Sequence, residues 1–148
     1  MPPAANLAPP PSGHILGQHH FEIEQACLAL LDACCTGDPS EIARRWREME
    51  FQLYDHMMAE EHFLFPAYQH DEPENAQDLR DQHARLRDLV VELGVALQLQ
   101  TVHLAQIEAF VAALRDHEER EDASLYRWAD RHLADDERHQ MHDYLAAS

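Results

Sequence analysis

Two stretches of the sequence carry the same arrangement of ionisable residues. Residues 55–61 read DHMMAEE and residues 116–122 read DHEERED, so each places a glutamate four positions after a histidine and a second acid directly after that glutamate. Residues four apart lie on the same face of an α-helix. An imidazole and a carboxylate on one face are nitrogen and oxygen donors that suit iron, manganese or zinc. The repeated spacing therefore favours a metal site built from helices.

Four long segments have the apolar periodicity of amphipathic helices. Their apolar residues recur at alternating steps of three and four over about 14–35, 42–64, 79–97 and 107–128, and histidine interrupts every one of these stripes. Short connections make neighbouring helices antiparallel. We therefore predict an all-α, up-down-up-down four-helix bundle. A short C-terminal helix should follow, with a buried side formed by Leu133, Met141, Tyr144 and Leu145.

Turn-forming residues separate the predicted helices. The stretch TGDP at 36–39 should end the first helix, and Ser40 should cap the second. The acidic stretch DEPEN at 71–75 predicts a loop before the third helix.

The two halves of the chain are copies of one helical hairpin, about 14–66 and 76–128. Shifts of 63 and 61 residues superimpose the polar positions of the first copy on those of the second, which gives the set His20, His56, Glu60, His83, His117 and Glu121. Packing of the hairpins about a pseudo-twofold axis would bring the four imidazoles to one level, with both carboxylates about 6 Å further along the bundle. A carboxylate in an apolar core is costly unless it is paired or binds a metal, and no arginine lies beside these glutamates on the same stripes. We therefore predict that the six residues bind metal.

Each residue of the set has a blander interpretation when it is taken alone. A single histidine on an apolar face is usually a hydrogen-bonded core residue, and one His-x-x-x-Glu pair can be an exposed ion pair. Four histidines in register with two duplicated glutamates favour the metal site instead. His19 competes with His20 if the first helix is rotated by one residue. We expect surface or supporting positions for the histidines outside the repeat, His14, His19, His62, His70, His103, His132, His139 and His142.

Charge and composition exclude several classes of partner. The chain has 28 acidic residues and 11 basic residues, all of them arginine, for a formal net charge of −17. Such a surface repels phosphate backbones and anionic lipid, so we expect no nucleic-acid or membrane partner. No apolar run is long enough to span a bilayer.

The remaining composition bounds the domain organisation and the location. Residues 1–13 contain five prolines and no basic residue, which predicts a mobile leader before a single domain over 14–148. Cys27, Cys34 and Cys35 cluster on one predicted helix and do not form a disulfide framework. We therefore expect a reducing, cytoplasmic setting.

These motifs resemble the hemerythrin-like proteins that are named for a His-His-Glu cation-binding motif. The matching stretches are QHHFEIEQACLAL at 18–30, HMMAEEHFLFP at 56–66, DQHARLRDLVVEL at 81–93 and HEEREDASLY at 117–126. The resemblance implies a four-helix bundle with a non-haem di-iron centre bridged by two carboxylates and an oxo or hydroxo group. Zinc and manganese remain alternative metals. The ligands that it implies are His20, His56, Glu60, His83, His117 and Glu121.

Two positions depart from the pattern of the oxygen carriers in that family. Arg87 stands where the carriers have a further histidine. Asp122 stands at the place of their bridging aspartate, directly after Glu121, so either acid can be the bridge; the match to Glu60 favours Glu121. The four-histidine, two-glutamate pattern resembles bacterial members associated with stress response, with handling of oxygen or nitric oxide, and with repair of iron centres.

The resemblance implies a protein that binds or senses oxygen, nitric oxide or peroxide, or that handles iron under stress. Two other functions use the same ligands. One is an oxidoreductase that reduces such a small molecule with electrons from a redox partner, and the other is a structural bundle held by zinc. We expect a binding protein rather than a dedicated enzyme, with similar ligands around both irons. The sequence leaves the oligomeric state open.

Overall fold

The computed structural model describes residues 12–147, with side chains described from Ile15 onward. The predicted mobile leader therefore lies outside the described residues, apart from its last two positions, which begin the first helix. The described part is helical almost throughout, with α1 (Ser12–Thr36), α2 (Pro39–Phe63), α3 (Phe65–Asp71), α4 (Pro73–Gln98), α5 (Leu104–Ala123), α6 (Leu125–His132) and α7 (Asp135–Ala146). None of these helices combines the length and apolarity required to traverse a bilayer.

The long helices form a closed ring around a shared interior. α2 and α3 form one bundle helix that is interrupted at Leu64, and α5 and α6 form another that is interrupted at Ser124. α1 packs against α2, α5 and α6, while α4 packs against α2, α3 and α5. α7 lies against α2. The predicted four-helix bundle with a short C-terminal helix is confirmed.

The junction between α1 and α2 shows how local sequence ends one helix and begins the next. Gly37 has a φ of 75°, and its N–H donates to the carbonyl of Ala33 at 3.1 Å. Asp38 is the N-cap of α2, and its carboxylate accepts the N–H of Ser40 at 3.0 Å. The prediction that Ser40 is the cap was wrong, because Pro39 needs no backbone partner and occupies the first turn.

The predicted acidic loop at 71–75 is not a loop. α3 continues to Asp71 and α4 begins at Pro73, so Glu72 alone separates them. Proline favours a first helical turn as strongly as it ends a preceding helix, and here the first effect decides the structure. The indole N–H of Trp128 donates to the Asp71 carboxylate at 2.9 Å and ties the end of α3 to α6.

The interior contains two hydrophobic clusters. The loop-end cluster, near the α1–α2 and α4–α5 connections, is built around Ile23, Cys27, Leu30, Trp46, Met49, Leu53, Met57, Leu86, Val90, Leu93, Ile107, Phe110, Val111 and Leu114. The α7-end cluster lies at the other end and is built around Ile15, Leu16, Ala59, Leu64, Phe65, Tyr68, Ala76, Leu79, Leu125, Tyr126, Trp128, Ala129, Leu133, Met141 and Leu145. The buried side predicted for the C-terminal segment is correct except at Tyr144, which is 37% exposed and meets the edge of the Phe63 ring.

Gly17, inside α1, and Gly37, directly after its last residue, test this description because substitution by alanine should have opposite effects on stability. A Cβ added at Gly17 or at Gly37 would meet nothing within 4 Å, so only the backbone matters. Gly17→Ala removes a flexible residue from a helix and should stabilise the protein by about 0.5–1 kcal/mol. Gly37→Ala forces a side chain into the left-handed region and should cost about 1–2 kcal/mol. Urea unfolding of the metal-free protein, followed by circular dichroism, measures both; shifts in the same direction would contradict the assignment.

Candidate metal centre

The six residues predicted as ligands are the buried polar residues of the described chain. Their exposures range from 0% for both glutamates to 7% for His20. Each lies on its helix between residues of the loop-end cluster and residues of the α7-end cluster, so the six form a polar layer across the bundle. The structure thus brings together the whole predicted set, His20, His56, Glu60, His83, His117 and Glu121. Metal ligation by these side chains stays a prediction.

The donor atoms of this layer fall into two groups that share one carboxylate. Site 1 contains Glu60, His83, His117 and Glu121, and site 2 contains His20, His56 and Glu121. Glu121 belongs to both sites and is fully buried, whereas the neighbouring Asp122 side chain is 55% exposed. Of the two acids that the sequence left open as the bridge, the structure places Glu121 inside the layer.

The spacing between donors matches that of ligands around one ion. At site 1, His117 Nε2 lies 3.0 Å from Glu121 Oε1, and His83 Nε2 lies 3.5 Å from Glu121 Oε2. At site 2, His20 Nε2 lies 3.4 Å from Glu121 Oε1. Two donors that bind one ion at about 2.1 Å lie about 3.0–3.4 Å apart in octahedral or tetrahedral geometry. Both groups are therefore close to a ligand arrangement without large side-chain movements.

The second acid of each repeated motif faces a histidine of the opposite hairpin. Glu61 accepts the Nδ1–H of His83 at 2.9 Å, and Arg87 holds Glu61 through two hydrogen bonds of 2.7 and 2.8 Å. At the matching position, Asp122 lies 3.4 Å from Nδ1 of His20. A carboxylate on Nδ1 leaves Nε2 free for a metal and fixes the ring orientation. Sequence reasoning missed this role, although the repeated acidic doublet was its signal.

Arg87, which replaces the additional histidine of the oxygen carriers, is part of this support. Burial of Glu61 opposes its ionisation, but the hydrogen bonds from His83 and Arg87 outweigh that effect and lower the pKa of Glu61 to about 2. Glu61 is therefore a permanent anion at neutral pH, so His83 keeps a charged acceptor on Nδ1.

His117 and His56, the two remaining histidines of the set, have different neighbours. His117 Nδ1 lies 2.7 Å from the amide oxygen of Gln82. The repeat places His19 at the position of Gln82, and its ring stacks on His56 with centroids 5.8 Å apart. His19 is thus a half-buried neighbour of the layer, and His20 is the buried member of the pair, as predicted.

The two buried carboxylates cannot both be ionised at low cost. Burial and the charge of Glu121 raise the pKa of Glu60 well above its ordinary value. Burial also opposes ionisation of Glu121, but its neighbours Glu60, His117 and His20 lower its pKa. In the metal-free pair, Glu60 is therefore the carboxyl group that retains a proton more readily.

The two imidazoles of site 2 differ in charge when no metal is bound. Burial disfavours the charged form of His20, yet Asp122 and Glu121 outweigh it and raise its pKa to about 9. Burial and the neighbouring His20 charge lower the pKa of His56 well below its ordinary value. Tyr126 lies between them, with its hydroxyl 2.7 Å from His20 Nε2 and 2.9 Å from His56 Nε2. The charged His20 donates to the phenol oxygen, and the phenol donates to neutral His56.

Unpartnered atoms in the layer fit a cation. Both oxygens of Glu60 and of Glu121, and Nε2 of His83 and of His117, are buried without a hydrogen-bond partner. Buried polar atoms without partners are rare and costly, and a cation would satisfy all six. Cys27, the cysteine nearest in sequence to the predicted ligands, lies in the loop-end cluster, where burial raises the pKa of its thiol to about 12. The donors are nitrogen and oxygen, which fits iron, manganese or zinc.

The family model of the hemerythrin HHE cation-binding domain matches residues 13–129. The chain belongs to this family. The match covers all six residues of the polar layer, and α7 lies beyond it. The curated proteins and the solved structures that were compared with the chain include no match.

Removal of the support for His83 should weaken metal binding. Glu61→Ala takes away the acceptor on Nδ1 of His83. Loss of such a partner typically lowers metal affinity by roughly 10- to 100-fold, and we expect a loss of about this size. Glu61→Gln keeps an amide oxygen and should lose less. Glu119→Ala, an exposed acid on α5, is the matched control. Competition with a chelator measures the three affinities, and equal values for Glu61→Ala and Glu119→Ala would contradict the support role.

Metal binding by this layer should depend on pH. His20 must lose its proton to bind a metal, and its pKa of about 9 means that protons compete below that pH. The apparent affinity should therefore rise as the pH increases from about 7 to about 8, by about tenfold for each proton displaced. Chelator competition at the two pH values tests this, and an unchanged affinity would show that His20 is already neutral.

Proposed function

We propose that this hemerythrin-family chain holds two irons and binds or senses a small oxidising or diatomic ligand such as oxygen, nitric oxide or peroxide. The observation that carries the proposal is the position of Glu121, whose carboxylate contributes to both donor groups. Glu60 lies between the groups as well, with Oε1 at 3.6 Å from His83 Nε2 and 3.2 Å from His56 Nε2. Two carboxylates between two sets of imidazoles suit a pair of bridged metals.

The number of protein donors supports ligand binding at these metals. Site 1 offers four residues and site 2 offers three, which is fewer than two six-coordinate irons require. The remaining positions are available to an oxo or hydroxo bridge and to one exogenous molecule. Bound iron would supply the redox chemistry, while the surrounding residues hold the imidazoles and exclude bulk water.

Burial of the layer limits the size of the ligand. All six side chains are at most 7% exposed, so a large organic substrate cannot reach the metals. A cavity of about 580 Å³ opens beside His19, and Asp55 and His142 also line it. Because His19 stacks on His56, this cavity leads to the edge of site 2. Only the His19 ring separates the cavity from His56 at site 2, and a path past one side chain favours diatomic molecules, peroxide and metal ions.

Other functions would use the same layer differently. A structural zinc site needs four donors for one ion, which site 1 alone would supply, and the second donor group would then have no role. Reduction of the bound molecule requires electrons from a redox partner, and this oxidoreductase remains the second candidate. Three free thiols, Cys27, Cys34 and Cys35, support a cytoplasmic location.

Metal content tests the proposal directly. Protein loaded with Fe(II) without oxygen and then exposed to air should contain two irons per chain and absorb in the near ultraviolet. Glu121→Gln removes the shared charge and should lower the content of both sites. Glu119→Gln changes an exposed acid of the same helix outside the layer and should retain the iron. One zinc per chain after iron-replete expression would instead support the structural bundle.

The neighbouring histidines of α1 test the assignment of site 2. His20→Ala should reduce the iron content from two towards one per chain, because site 1 keeps its four donors. His19→Ala should leave the content unchanged, since His19 lies outside both groups. Elemental analysis of the purified variants decides between them. Iron loss in His19→Ala alone would mean that the first helix binds metal through the other histidine.

A further inference from the structure

One difference between the two hairpins beside the polar layer is a hydroxyl group. Phe65 and Tyr126 occupy matching positions, each five residues after a buried glutamate. The Phe65 ring meets His83 with centroids 5.1 Å apart and an interplanar angle of 32°, and the Tyr126 ring meets His20 with the same distance and angle. The symmetry of the rings shows that the phenol oxygen is an addition to a shared aromatic position.

This hydroxyl lies where a ligand of site 2 would lie. Its oxygen is 2.7 Å from His20 Nε2 and 2.9 Å from His56 Nε2. Oxygen and nitrogen atoms that bind one ion at adjacent positions, each at about 2.0–2.1 Å, are separated by about 2.9 Å. The phenol oxygen therefore has the separation from both imidazoles that a third donor to the same ion requires.

A metal at site 2 would also remove the present partners of the hydroxyl. Both imidazoles would direct Nε2 towards the ion, so neither could continue to pair with Tyr126. Glu60, which also interacts with the hydroxyl, would be engaged by the metals as well. The tyrosine is 2% exposed, and a buried hydroxyl without a partner is unfavourable. Coordination of the phenol oxygen satisfies it without moving the ring.

We propose that Tyr126 is a ligand of the metal at site 2, which would then have four protein donors, His20, His56, Glu121 and Tyr126. This inference rests on the proposed di-iron function and makes the two metals unequal, because site 1 has a phenylalanine at the matching place. An anionic oxygen donor favours ferric over ferrous iron. A ferric ion at site 2 would therefore be favoured by Tyr126.

The test uses the full chain, loaded with Fe(II) without oxygen and then oxidised in air. A ferric phenolate absorbs in the visible range, and resonance Raman excitation in that band enhances tyrosine ring vibrations. Tyr126→Phe should abolish the band and its ring vibrations while retaining two irons per chain and the near-ultraviolet absorption. Tyr68→Phe is the matched control, because Tyr68 is 1% exposed in the same α7-end cluster and should leave the band intact.

Labelling makes the result independent of how the variant folds. Wild-type protein grown with ring-deuterated tyrosine should show the enhanced ring vibrations at shifted frequencies. Wild-type protein with two irons and no such vibrations would overturn the inference and leave the di-iron proposal standing. A band that survives in Tyr126→Phe would do the same. Wild-type protein that takes up no iron would overturn both.

Discussion

The structure depends on one electrostatic constraint, the burial of two carboxylates side by side in the core of a helical bundle. Glu60 and Glu121 have no exposed surface, and without a cation, burial and the neighbouring Glu121 charge raise the pKa of Glu60 well above its ordinary value. Transfer of a carboxylate out of water costs several kcal/mol unless a counter-charge accompanies it, so the arrangement is stable only with compensation. Four imidazoles surround the pair, and a cation would complete the neutralisation.

The repeated hairpin explains how a short chain meets this constraint. Each copy supplies a histidine and a glutamate on one helix and a histidine on the other, so two copies give both sites at once. The acid after each glutamate faces a histidine from the opposite copy, with Glu61 hydrogen-bonded to His83 and Asp122 3.4 Å from His20. The hairpins are therefore joined through their polar layer as well as through their apolar faces.

Periodicity in the sequence was sufficient to predict the bundle and the six buried polar residues, because a residue on the apolar face of an amphipathic helix is buried whether it is apolar or polar. It was insufficient where two local signals compete. Pro73 and the acids around it have the composition of a loop. Proline is nevertheless favourable at a first helical position, so α4 begins at Pro73 and only Glu72 separates it from α3. Tyr144 has the spacing of a buried residue, but α7 lies on the outside of the ring, against α2, and buries only a narrow side.

The sequence also did not predict that the two sites have different sets of donors. Counting matching positions predicted similar ligands around both metals, and the pairing of Phe65 with Tyr126 carried no signal of its own in the sequence. Its meaning depends on the distance from a hydroxyl to two imidazoles on other helices, which only the packed bundle defines. Arg87 is a similar case, since its ion pair with Glu61 crosses between α4 and α2.

The polar layer has a consequence for folding cooperativity, because it divides the apolar interior into the loop-end and α7-end clusters. Without metal, the contacts between the two ends pass through imidazoles and carboxylates that gain little from each other. Each end then resembles a separate folding unit, and regions of this kind open with their own free energies in hydrogen exchange. A cation that binds donors from all four bundle helices couples the two units, so that loading the centre turns two local opening transitions into one global transition.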